Sequence, residues 1–103
     1  MSRYKLGSAS QIPAGEGRSF QVGEAKIAVF RTREGAVYAT QAECPHRKGP
    51  LADGLVGGST LICPLHERAF DLSTGRALNG DCDLRTFPVE EENGSLVVEV
   101  SGG

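Results

Sequence analysis

Short runs of alternating apolar and polar residues, separated by glycine, extend through most of the chain, and no stretch keeps its apolar positions at helical spacing. The alternation predicts strands over residues 3–6, 19–22, 25–32, 36–42, 60–62, 69–71, 84–90 and 95–100. The joints between them carry turn chemistry. Gly23-Glu24 and Asn93-Gly94 supply the positive φ that tight hairpins require, and Glu34-Gly35 and Thr74-Gly75 read as further turns. The pattern therefore describes an all-β chain of antiparallel strands. In the last hairpin Leu84, Thr86 and Pro88 oppose Arg85, Phe87 and Val89, while Leu96, Val98 and Val100 form one apolar face; these positions are expected to build the core. Tyr4, Phe20, Phe30, Tyr38 and Phe87 are read as core as well.

Over residues 44–72 the pattern changes to a stretch rich in proline, glycine and charge, set between two strand-rich halves. Two segments there, CPHRKGPL at 44–51 and CPLHERAF at 63–70, hold both histidines of the chain and two of its three cysteines. Each offers one thiolate and one imidazole, Cys44 with His46 and Cys63 with His66. That donor set could hold a single tetrahedral zinc or a two-iron, two-sulfide cluster, and ligand count alone does not separate them. Zinc fingers usually draw a cysteine pair from one element and a histidine pair from another, whereas each segment here contributes one of each. A centre in which one iron takes two Cys and the other two His asks both loops to span both irons, and the mixed segments meet that demand.

A chain of 103 residues is one domain in length, and 1–103 is expected to fold as a single unit with its ligand-bearing loops within 43–72. No apolar run approaches the roughly 18 residues of a membrane helix, so no membrane association is expected. The N-terminus lacks the apolar stretch of a secretory signal and three cysteines cannot all pair within one chain, which points to a reducing cytoplasm. A net charge of −2, with pI near 5.6 and no basic run, excludes nucleic acid as a partner.

CPH, a gap of 16 residues and CPLH resemble the paired CxH and CxxH motifs of the Rieske family. The likeness extends through GPLADG at 49–54, AFDLSTG at 69–75 and LRTFPV at 84–89. It implies a Rieske fold of stacked antiparallel sheets with an inserted cluster-binding subdomain, one 2Fe-2S cluster, and one-electron transfer. Carried over residue by residue, Cys44 and Cys63 would bind the inner iron, and His46 and His66 the outer one. Two ferric ions and two sulfides sum to +2, so two thiolates leave the oxidised site neutral where four would leave it at −2, and a neutral site accepts an electron more readily. Respiratory and photosynthetic members carry an additional disulfide-forming Cys in each loop; Gly49 and Leu65 occupy those positions here. They also carry a Ser and a Tyr after the second His, where this chain has Arg68 and Phe70. Without those hydroxyl donors to sulfur, the resemblance implies a potential near the low end of the Rieske range, about −150 mV.

Within the family the segments look most like the small subunit of NAD(P)H-dependent nitrite reductase, whose partner is a flavin- and sirohaem-containing large subunit. The alternative is the ferredoxin of a ring-hydroxylating dioxygenase system, working between a flavin reductase and a terminal oxygenase. A zinc-stabilised interaction module without redox activity is the reading from a different class. Either redox role makes the chain a subunit or carrier with no substrate site of its own. Pro45, Gly49, Pro50 and Pro64 read as loop-shaping residues, and Cys82 as a structural thiol outside the site. Arg47, Lys48 and Arg68 against Glu67 give the loops a local charge of about +2, suited to an acidic partner surface. Glu90, Glu91 and Glu92 read as a solvated edge.

Overall fold

The structure, a computed structural model, describes residues 2–23, 25–43, 51–63, 69–78 and 83–100. Among the described residues ten strands form three antiparallel sheets: β1 (Ser2–Ser8), β10 (Ser95–Val100) and β9 (Val89–Glu92) in the first; β2 (Glu16–Val22), β3 (Ala25–Arg31), β4 (Val37–Gln41) and β8 (Thr86–Phe87) in the second; and β5 (Leu55–Gly57), β6 (Thr60–Ile62) and β7 (Ala69–Asp71) in the third. Short 3-10 turns occupy Ala9–Gln11 and Leu51–Asp53. The all-β expectation holds, with no α-helix among the described residues.

The second sheet is the middle layer, and β3 explains why. Its run Ile27-Ala28-Val29-Phe30 is buried on both faces, and a strand buried on both faces reads as a continuous apolar run. Ile27 and Val29 face the first sheet, packing with Val22, Ala39, Leu96 and Val98. Ala28 and Phe30 face the third, packing with Leu51, Leu61, Cys63, Phe70, Leu72 and Leu84. Fully burying each Ile, Leu or Phe in these clusters stabilises the fold by about 1.5–3 kcal/mol. Of the five aromatic residues read as core, Phe30 is wholly buried, while Tyr4, Phe20, Tyr38 and Phe87 lie half-buried against the clusters.

Asn93 (φ 51°) and Gly94 (φ 82°) make the tight turn between β9 and β10, and Val22 pairs with Ala25 so that the β2–β3 connection is two residues long, as the turn signals required. Three expectations need correction. The strand read over 84–90 is divided at Pro88: Thr86–Phe87 pairs with β4 and Val89–Glu92 with β10, because proline offers no N–H to continue the ladder and the chain changes sheets there. Thr86 and Pro88 are in consequence exposed rather than core. Strand β5 was absent from the pattern because its GLVGG context reads as a turn. Glu90, Glu91 and Glu92 do line an exposed edge, where Arg3 forms ion pairs with Glu90 at 2.8 Å and with Glu92. Glu92 is held below the usual carboxylate range chiefly by its hydrogen bond from Arg3.

Candidate metal centre

Both candidate segments rise from one apolar floor. After β4, Ala42 is buried, and its carbonyl oxygen accepts the Leu51 N–H at 2.9 Å, so residues 43–50 leave and return to one point. Ile62 pairs with Ala69, which makes residues 63–68 the connection of the β6–β7 hairpin. Leu51 and Cys63, one at the foot of each loop, are buried in the same cluster with Leu61 and Phe70.

Gly54 fastens the two feet together. Its N–H donates to the Leu51 carbonyl oxygen at 2.9 Å, and a Cβ on this residue would lie 2.5 Å from the Ile62 carbonyl oxygen, 2.9 Å from Leu61 Cδ1 and 3.1 Å from the Leu51 oxygen. Only a residue without a side chain lets the end of the first loop approach the backbone that leads into Cys63. On the other side, Gln41 ties β4 to the chain entering β8. Its backbone N–H donates to the Arg85 carbonyl at 2.9 Å, its side-chain Oε1 accepts the Arg85 N–H at 2.8 Å, and its Nε2 donates to the Glu43 carbonyl at 2.7 Å. That last bond fixes the residue immediately before Cys44.

After β7 the chain turns sharply. The Asp71 carboxylate accepts from the Ser73 N–H at 2.9 Å and the Ser73 hydroxyl at 2.6 Å, and these two bonds hold its pKa below the usual carboxylate value. The turn returns residues 76–78 alongside β7, where the Asp71 N–H donates to Arg76 O and the Leu78 N–H to Ala69 O, each at 2.8 Å. In effect the third sheet gains a fourth row-mate.

Of the four predicted ligands, Cys63 is placed, at 1% exposure; Cys44, His46 and His66 lie outside the described residues. So do Pro45, Arg47, Lys48, Gly49, Pro50, Pro64, Leu65, Glu67, Arg68 and Cys82, and with them the expected basic rim and the structural thiol. The described residues by themselves assemble no group of three or more His, Cys, Asp or Glu side chains. What they show fits an iron-sulfur group. The Cys63 sulfur is buried among apolar side chains, and a soft sulfur donor suits iron. Phe70 packs its ring into that floor and has no hydroxyl to offer. Sequence reasoning missed Gln41 and Gly54 as positioning residues. The glycine closing GPLADG was a signal for close approach, whereas nothing in the pattern marks Gln41.

Among the described residues no helix is long and apolar enough to cross a membrane. Residues 2–89 match the Rieske 2Fe-2S domain family. The ferredoxin component of the naphthalene 1,2-dioxygenase/salicylate 5-hydroxylase systems of a Ralstonia species is 35% identical over 91 residues, covering 86% of either chain. The NAD(P)H nitrite reductase of Emericella nidulans is 35% identical over 99 residues, covering 85% of this chain and 9% of that protein. A Mycobacterium tuberculosis protein described as an NADH-dependent nitrite reductase small subunit shares the fold, with TM-score 0.89 at 20% identity over 98% of this chain and 97% of that one. Motifs, three-layered antiparallel fold, buried cysteine and family match agree: the chain belongs to the Rieske 2Fe-2S domain family and is an electron-transfer protein carrying one 2Fe-2S cluster.

Proposed function

We propose that Cys44 and Cys63 hold one iron of the cluster and His46 and His66 the other, and that the chain passes single electrons as the Rieske small subunit of an NAD(P)H-dependent nitrite reductase. The ligand assignment is supported by the shared floor: Leu51 and Gly54 at the foot of the first loop meet Ile62 and Cys63 at the foot of the second. The cluster, when bound, supplies a one-electron couple. The chain's own residues anchor both loops, keep water from the cysteine side and leave the imidazole N–H groups as donors toward a partner. The zinc module weighed from ligand count is set aside by the family match.

The observation that carries the nitrite reductase reading is the 35% identity with the Emericella nidulans enzyme along 99 residues, together with the CPHRKGPLADG and LRTFPV segments. The second reading, the ferredoxin of a ring-hydroxylating dioxygenase system, is favoured by the Ralstonia relative, which matches along 86% of its own length and so is a separate component of similar size. Reconstitution separates them. Holoprotein added to a flavin- and sirohaem-containing large subunit should support nitrite-dependent NAD(P)H oxidation. Failure there, with turnover instead alongside a flavin reductase and terminal oxygenase, would transfer the assignment to the second reading.

A further inference from the structure

The turn between β9 and β10 carries a reactive pair that electron transfer does not use. Asn93 and Gly94 are exposed, and positive φ at both, 51° and 82°, makes the turn type I′. The Gly94 carbonyl is committed: it accepts the Ala9 N–H at 2.9 Å and so ties the hairpin tip to the 3-10 turn after β1. The peptide on the other side of Gly94 is not. The Asn93 carbonyl, the Gly94 N–H and the Asn93 carboxamide make no hydrogen bond to any described residue, and a Cβ on Gly94 would meet nothing within 4 Å. In a type I′ turn the first central residue has ψ of about +30°, which directs the next nitrogen away from its side chain. In a type II′ turn ψ is about −120°, and that nitrogen lies alongside Cβ. Turning the Asn93–Gly94 peptide over converts one into the other. It changes Asn93 ψ and Gly94 φ, breaks no hydrogen bond to a described residue, and leaves β9 and β10 paired, because both turn types suit a two-residue hairpin. Glycine accepts the required negative φ as readily as the positive one.

We propose that Asn93 is a site of self-catalysed deamidation, reached through this peptide flip, and that its isoaspartyl product releases the hairpin tip from Ala9. The Gly94 nitrogen gives its proton to water and bonds to Asn93 Cγ. The Cγ–Nδ2 bond breaks, ammonia leaves, and a cyclic imide joins the two residues. Water then opens the imide. Addition at Cγ gives aspartate; addition at the backbone carbonyl carbon gives isoaspartate, whose main chain runs through Cβ. One water is consumed and one ammonia released, with no oxidant or reductant. Aspartate keeps the turn and adds one negative charge beside Glu90, Glu91 and Glu92. Isoaspartate also lengthens the loop by one atom, which no longer fits the Glu92–Ser95 pair and carries the Gly94 carbonyl away from Ala9. Ala9 and Ile12 are buried in one cluster with Leu96 and Val98, so the change at an exposed tip reaches the packing of the first sheet.

The test ages holoprotein in warm, mildly alkaline buffer and digests samples with trypsin at intervals. The tryptic peptide 86–103 holds Asn93, while 77–85 holds Asn79-Gly80, a second Asn-Gly pair outside the described residues, so mass spectrometry reads the two separately. Isoaspartate in 86–103 is identified by labelling with a protein isoaspartyl methyltransferase. A synthetic peptide of sequence 86–103 gives the rate without a fold. A turn that must flip before it reacts is slowed only by the flipped fraction, so the folded chain should convert within about a hundredfold of the peptide. Reaction through global unfolding alone would be slower by about a thousandfold or more. In the isoaspartyl fraction, separated by anion exchange, the Ala9 amide should exchange with deuterium at least about tenfold faster than in the parent. Conversion of 86–103 more than about a hundredfold slower than the peptide overturns Asn93 as the site. Isoaspartyl protein with parental Ala9 exchange overturns the release of the hairpin tip. Neither readout involves the cluster, so both are independent of the ligand reading.

Discussion

Replacing Gly54 with alanine probes the contact that joins the two loop feet. The new Cβ would meet backbone oxygens of Ile62 at 2.5 Å and Leu51 at 3.1 Å, and Leu61 Cδ1 at 2.9 Å. Ordinary contact begins near 3.4 Å, so the segment after the first loop and the strand entering Cys63 must separate by close to 0.9 Å. The Leu61 methyl can rotate away; the two carbonyl oxygens cannot. Overpacking of this kind costs about 3 kcal/mol, and the lower unfolded-state entropy of alanine returns roughly 0.5–1, leaving about 2 kcal/mol. For a chain of this size that lowers Tm by about 10 °C. Gly57→Ala is the control, because nothing lies within 4 Å of its would-be Cβ, and its Tm should hold or rise slightly. Thermal melts followed by far-UV dichroism and by the visible cluster absorbance measure both effects on one sample. Cluster loss in the Gly54 variant should precede or accompany unfolding. If Gly54→Ala melted within about 2 °C of the parent and bleached no faster, the claim that this contact sets the spacing of the loops would be wrong.

Phe70→Ala should cost about 4 kcal/mol, since the ring is 1% exposed and floors the cluster containing Cys63; denaturant titration of the holoprotein measures the loss. Gln41→Ala removes both side-chain hydrogen bonds that anchor Glu43 and Arg85, so stability should fall by about 1 kcal/mol and iron should be released faster to a chelator, an outcome refuted by parental release rates. The Asp71 carboxyl is held low by the Ser73 hydrogen bonds, so its contribution to stability is present above the ordinary carboxylate pKa and disappears as pH falls through the lowered one. The Tm gap between wild type and Asp71→Asn should therefore stay constant from neutrality to about pH 4 and close below it.

The strands and hairpins of the fold were legible because burial imposes period. The 25–32 run was read as a strand, though not as one buried on both faces, and Asn93-Gly94 announced the hairpin whose positive φ values the structure shows. Pro88 was also visible, yet its meaning depends on which sheet each side joins, and such long-range pairing leaves no local trace. Val97, on the face of the last strand opposite Leu96 and Val98, is buried with Lys5 and Glu90 as its cross-strand neighbours, which a simple alternation does not express. At the site, the residue types able to hold metal were readable from CPH and CPLH. The supports were not. Gln41 acts through backbone groups 44 residues away in sequence.

The assignment of ligands is open to one direct measurement, because the chain contains only two histidines. Holoprotein labelled with nitrogen-15 histidine, reduced with dithionite and examined by pulsed EPR, should show couplings from two inequivalent imidazole nitrogens on a 2Fe-2S signal, with about two irons and two sulfides per chain. Coupling to one histidine or none would contradict the proposed set of Cys44, His46, Cys63 and His66.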